Sequence, residues 1–221
     1  PGINYSLPKN ESSLVKAQIS IIKNIIFKNL LIEDKNNQFK VKNIKFSKDL
    51  NLINFQEISI KTSIDNKINN EFKILNKKNE INIKGQVFDA KNILNELKKN
   101  RNKNNFLKNT NKNIEIDFDR VEKVAEFPIR KFRLIGKIKN GDFEKITAKS
   151  DFSNDEHLDI SLKKQKETDE KILEIYSDIA TPLLNDYKFF KGLDGGNLTY
   201  TSKFNNKKSF GELTINNFKL N

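Results

Sequence analysis

Apolar and polar residues alternate with a period of two along most of this 221-residue chain. Ile58, Ile60 and Ile64 share one face of the stretch from Glu57 to Asp65. Ile81 and Ile83 alternate with Asn82 and Lys84, and Ile114, Ile116 and Phe118 alternate with Glu115, Asp117 and Asp119. In the second half the pattern returns in Phe132, Leu134, Gly136 and Ile138, in Leu158, Ile160 and Leu162, and in Leu198, Tyr200, Ser202 and Phe204. Successive side chains of a strand point to opposite sides, so each run describes a strand with one buried and one wet face, the habit of antiparallel sheets. The turn signals agree. Asn140-Gly141 lies between Ile138 and Phe143 and supplies two residues that tolerate positive φ, as a two-residue hairpin requires. Asn154–Glu156 and Asn205–Lys208 read as polar turns.

Two stretches follow a helical period instead. From 89 to 99, Ala90, Ile93, Leu94 and Leu97 form one stripe, with Asp89 as N-cap and Lys98 and Lys99 at the C-terminal end of the dipole. From 181 to 191 the stripe is Leu183, Leu184, Tyr187 and Phe190, with Thr181 as N-cap, Pro182 at the first helical position and Gly192 beyond the end. The spacing predicts a short amphipathic helix in each. Asp89-Ala90 is echoed 89 residues later by Asp178 with Ala180, each after a predicted strand. A modular organisation follows: residues 1–99 form a first sheet unit ending in a helix, 100–112 a basic Asn/Lys-rich linker, and 113–221 a second sheet unit with its helix near 181–191. The chain opens on Pro1-Gly2 rather than Met and reads as a piece of a longer protein.

Several functional classes are closed to such a chain. Without Cys there is no disulfide framework, thiolate zinc site or thiol nucleophile, and a single His cannot build a multi-His metal centre. No apolar run is long enough to cross a bilayer as a helix. The net charge of +12 lies wholly in residues 1–112, with 22 basic and 10 acidic side chains, while residues 113–221 carry 19 of each. Lys, Asn, Ile and Phe fill 115 positions, and all four use A/T-rich codons, so coding bias accounts for much of the lysine. Only four of the 41 basic residues are Arg, although base readout favours the bidentate guanidinium. Nucleic acid is not expected as a partner. The densest basic stretch is Lys98, Lys99, Arg101, Lys103, Lys108 and Lys112, with no acid between them. It reads as a solvated linker; its other reading is a contact for anionic headgroups, each basic side chain contributing about 1 kcal/mol at the surface.

No catalytic constellation emerges, and no cofactor or metal is expected. His157 falls in the turn 154–157 with no partner implied, and a general base needs one. Glu115, Asp117 and Asp119 share a strand face and could ligate Ca²⁺, but the solvated side of an amphipathic strand explains them. Gly192, Gly195 and Gly196 lack the Lys-Ser/Thr of a phosphate loop and read as a helix stop and tight turn. The apolar face remains. Phe132, Leu134, Ile138, Ile146, Phe152, Leu158, Ile160, Leu162, Ile175, Leu198, Tyr200 and Phe204 are placed on one side of the second-half sheet. Two short helices cannot cover so wide a face. Either the sheet closes into a sandwich with a filled core, or it curls and leaves a trough suited to acyl chains, where each buried CH₂ contributes about 0.8 kcal/mol.

Certain segments carry a family likeness. Gly85-Gln86-Val87-Phe88-Asp89-Ala90 running into Ile93-Leu94, then Asp119-Arg120-Val121, then Ser177-Asp178 with Leu183-Leu184 and Gly195-Gly196-Asn197-Leu198, and last Gly211-Glu212-Leu213-Thr214-Ile215-Asn216-Asn217-Phe218, occur in order across residues 58–221. In this order and spacing the chain resembles the AsmA-like proteins of Gram-negative envelopes, and among them the YhdP-type branch. The resemblance implies a mainly β protein with an extended, curled, groove-like antiparallel sheet and two short amphipathic helices. It implies a non-catalytic periplasmic segment whose parent is anchored in the inner membrane by a segment outside this chain. Its groove would hold phospholipid acyl chains in transit between the inner and outer membranes, with other envelope proteins as possible partners. The competing expectation is a structural envelope or surface β-domain that binds protein partners.

Overall fold

Each alternating stretch becomes a strand. In the computed structural model, which describes residues 14–21, 24–91, 110–122, 128–152, 156–168, 170–184, 192–205 and 208–221, the chain is mainly β. The strands are β1 (Leu14–Ile21), β2 (Ile25–Glu33), β3 (Gln38–Phe46), β4 (Leu52–Asn54), β5 (Glu57–Ile64), β6 (Lys67–Asn76) and β7 (Glu80–Asp89). They continue as β8 (Lys112–Glu122), β9 (Ile129–Lys139), β10 (Asp142–Asp151), β11 (His157–Lys164), β12 (Lys171–Ser177), β13 (Leu193–Phe204) and β14 (Ser209–Leu220). All fourteen join one curled, unclosed sheet in chain order, except that the short β4 pairs only with β3, leaving β3 beside β5.

Neighbouring strands run antiparallel with one exception, the parallel pair β7–β8. Asn140-Gly141 turns β9 into β10 with φ of 51° and 79°, the mirror-image turn that matches strand twist. Asp65-Asn66, with φ of 50° and 60°, does the same between β5 and β6. The polar turn after β13 closes through Asn205 N–H to Lys208 O at 2.9 Å, and Phe152 N–H donates to Glu156 O at 2.8 Å across the next expected turn.

The register sets a single apolar row across the whole sheet. From β1 to β14 it reads Ala17, Leu30, Val41, Ile58, Ile74, Ile83, Ile116, Leu134, Ala148, Ile160, Ile175, Tyr200 and Leu213, each directly opposite the next. Because side chains alternate, this row fixes one apolar face edge to edge. The other face carries ion pairs between adjacent strands, among them Lys42–Glu57 (3.1 Å), Lys84–Glu115 (2.8 Å), Arg133–Asp117 and Lys137–Glu144 (2.8 Å). Exposed pairs of this kind contribute about 0–1 kcal/mol each, so burial on the apolar side is the main stabilising term.

The two expected amphipathic helices are not borne out. Asp89 ends β7 and its Oδ1 accepts the Lys91 N–H at 3.1 Å, Ala90 follows in irregular backbone, only Lys91 of the described residues is helical there, and residues 92–99 lie outside those described. Near 181–191 the described helix is the single turn Thr181–Leu184, with Pro182 and Leu184 buried, and 185–191 lie outside. The expected linker can be followed only from Thr110, and Lys112 already belongs to β8. Strands on either side of it, β7 and β8, pair along nine residue positions from Glu80↔Asn113 to Asp89↔Glu122. Gly195 and Gly196 sit within β13 with φ of 68° and 75°, not in a turn before it. His157 is the first residue of β11 instead of a turn residue.

Candidate functional site

The curl has a visible origin. Between β6 and β10 the pairing is interrupted along one line: the register shifts at Glu71/Phe72 against Gly85 and Val87 and at Lys149/Asp151 against Arg133 and Arg130, and between these Gln86, Asp119 and Lys131 are passed over in the pairing while β7, β8 and β9 keep their register. Lys131, in the middle of this line, has φ of 50°. A bulge bends its strand and sharpens the twist, so two bulges with unpaired positions in line between them crease the sheet. The crease also shifts side-chain parity by one. Phe118 and Phe132 face the apolar side in step with Ile116 and Leu134; beyond the crease, Phe88, Val121 and Ile129 turn to that side instead.

The folded face encloses a cavity of about 810 Å³, open to solvent, within the range typical of small-molecule pockets. Its lining draws on β7 (Ile83, Phe88), β8 (Ile116, Phe118, Val121), β9 (Ile129, Phe132), β11 (Leu158, Ile160), β12 (Ile175), β13 (Leu198, Tyr200) and β14 (Leu213). A flat sheet would hold β7 and β14 about 33 Å apart at the usual strand spacing, so only a curled one brings them to one hollow. Strand β10 contributes small buried residues, Ala148 and Ser150, which leave room at the floor. One end is walled by aromatic rings: Phe88 stacks on Phe118 with centroids 5.1 Å apart, and Phe72 meets both edge-on. Among the described residues the lining carries one polar side chain, the Tyr200 phenol, and no charge. Such a surface can sequester a hydrocarbon.

Of the twelve residues expected on this face, Phe132, Leu158, Ile160, Ile175, Leu198 and Tyr200 line the cavity. Phe152 lies beneath it, buried against Phe118, Val121 and Leu158. Leu134 and Ile138 pack with Ile81 and Ile114 beside it. Ile146 and Leu162 oppose each other on the same face, further toward the uncapped end, and Phe204 lies opposite Lys171. Sequence reasoning did not include Ile83, Phe88, Ala90, Ile116, Phe118, Val121, Ile129, Leu183, Leu184 and Leu213. Alternation alone identified the apolar sides of β7 and β8, yet nothing in it announced that those strands pair with each other.

A short lid closes one end. Leu183 and Leu184 reach the cavity from the turn after β12. This segment is held on three sides: Ala180 N–H donates to Gly196 O (2.7 Å), the buried Ser177 hydroxyl donates to Ile179 O (2.7 Å), and Asp178 N–H donates to His157 O (3.0 Å). Asp178 in return accepts from His157 N–H and from the Tyr176 hydroxyl, both at 2.8 Å, which holds its carboxyl below the usual carboxylate range. On the same rim His157 Nδ1 meets Asp151 Oδ1 at 3.0 Å, and Lys131 Nζ donates to Asp151 Oδ2 at 2.9 Å. Hydrogen bonding to Asp151 raises the His157 pKa, while Lys131 and then His157 depress that of Asp151. Lys131, His157, Tyr176 and Asp178 are exposed, Asp151 is half-buried, and all lie outside the cavity lining, so they fasten the rim and do not face a bound molecule. Glu115 and Asp117 are engaged by Lys84 and Arg133 on the opposite side of the sheet.

No protein-family model matches the chain, nor does any curated protein or any solved structure at a meaningful level of similarity. The functional reading therefore rests on the groove itself.

Proposed function

We propose that this chain is a non-catalytic, lipid-holding segment of an AsmA-like periplasmic protein, carrying phospholipid acyl chains between the inner and outer membranes. The observation that carries this reading is the open, uncharged hollow lined from β7 to β14, continuous with an apolar row that reaches both sheet edges. A sandwich would have filled that volume with its own side chains. Burying twelve methylenes there contributes about 10 kcal/mol before the cost of association, enough for useful affinity. The short sequence likenesses between residues 83 and 218 point the same way. Anchoring of the parent in the inner membrane belongs to this reading and to a segment outside the chain; among the described residues no helix is long and apolar enough to cross a membrane.

The test is native mass spectrometry of the purified protein, with extraction and identification of bound lipid. Phospholipid at close to one molecule per chain supports the reading. A protein that is folded, carries no lipid and takes none from vesicles overturns it. The alternative, a structural β-domain binding protein partners, is favoured by one observation: Phe210 and Leu220 on β14 are 72% and 75% exposed.

A further inference from the structure

We propose that copies of this chain associate head to tail, β14 of one against β1 of the next, so that the sheet and its apolar face run on across the junction. Among the described residues β1 and β14 are the two edge strands, and edge strands present unpaired backbone groups to any matching strand. Direction permits the join. The path has thirteen strands and twelve junctions, of which one, β7–β8, is parallel. Eleven reversals leave β1 and β14 pointing oppositely, so a second copy in the same orientation meets the first as an antiparallel neighbour.

Side-chain chemistry selects the partner edge. Ala17 and Leu213 are the two ends of the apolar row. Setting them opposite each other brings Val15 against Ile215 on the same face, so no polar residue interrupts the row. On the other face Lys16, the one charged residue of β1, then lies diagonal to Glu212, within reach for long side chains. The self-pairings are worse. Two copies of β14 joined at Leu213 set Glu212 diagonal to Glu212, and two copies of β1 joined at Ala17 set Lys16 diagonal to Lys16. Opposite charge favours the head-to-tail join and like charge opposes both alternatives. Such a heterologous contact does not close on two copies, so it produces a concentration-dependent series of oligomers.

The chain has no cysteine, which makes the junction directly testable. Single variants Ala17→Cys and Leu213→Cys, each checked for strand content by circular dichroism, are mixed and treated with oxidant or a short bismaleimide. The expected product is a crosslinked dimer in the mixture and little or none in either variant alone. Sedimentation of the unmodified chain should show association rising with concentration. Glu212→Lys should weaken it at least tenfold, and an equimolar mixture of Glu212→Lys with Lys16→Glu, in which every mixed junction again sets opposite charges diagonal to each other, should recover the concentration-dependent series. Crosslinking of Leu213→Cys with itself, or a sharp monomer at every concentration of the unmodified chain, overturns the proposal. Neither result bears on lipid occupancy, which is measured separately on the monomer.

Discussion

Ile160→Asp separates an open groove from a closed core. Ile160 sits on β11 between Ala148 and Ile175 in the apolar row and lines the cavity. Losing a half-buried isoleucine removes about 1–1.5 kcal/mol of burial, half the value of a fully buried side chain. In a sealed core the new carboxylate would add about 3–5 kcal/mol as an unpaired buried charge. The cavity is open to solvent, so the carboxylate keeps water and the total stays near 2 kcal/mol. For a chain of this size that lowers Tm by about 4–8 °C. Bound phospholipid should fall far more, at least tenfold, because acyl chains cannot share the hollow with a hydrated charge. Thr147→Asp supplies the control: it places the same charge one residue away on the exposed outer face, opposite Ile135 and Ser161. It should change stability by less than about 0.5 kcal/mol and leave lipid binding intact. Thermal unfolding and lipid quantification on the three proteins decide the matter. Undiminished lipid in Ile160→Asp, or complete unfolding of that variant alongside a lipid-free parent, refutes the reasoning.

Three further outcomes follow from the lid and rim. Ser177→Ala leaves the Ile179 carbonyl without its buried donor and should cost about 1–3 kcal/mol in chemical denaturation, with faster lipid release from the loosened lid. Gly196→Ala forces a side chain onto a φ of 75° with its Cβ 2.9 Å from Phe218 Cβ, and should destabilise by about 1–3 kcal/mol, seen as a lowered denaturation midpoint. The His157–Asp151 contact gives a pH signature. His157 has a raised folded pKa, so its contribution is complete below about 6.5 and fades as pH climbs through the raised value; Asp151, depressed, contributes above about 3.9 and fails only as pH falls through its lowered value. Melting-temperature differences between the unmodified protein and Asp151→Asn should therefore narrow from pH 6 to pH 9 while the Lys131 contact preserves part of the gap.

Much of the sheet was legible because alternation is a local property: the apolar sides of β8, β9, β11 and β13 follow from their own residues, as does the Asn140-Gly141 turn. What escaped depends on neighbours. Phe88, Val121 and Ile129 each look, in their own strand, like a lapse in the period. Only the register shows that the three lapses fall on one diagonal and that each carries a large apolar side chain to the same hollow. That β7 runs through Asp89, where a helix start was expected, has a related cause. Period 3.6 and period 2 both accommodate Phe88, Asp89 and Ala90, and pairing of Asp89 with Glu122, continued by Ala90 N–H to Glu122 O at 3.0 Å, decides for the strand. The crease and the parallel pair thus act together. β7 and β8 must lie side by side for these interruptions of the pairing to align, and their alignment lets the sheet fold over its own apolar face. A groove built this way is formed by register more than by any single residue. Substitutions at the crease should therefore alter the width of the hollow, while substitutions along the row alter what it accepts.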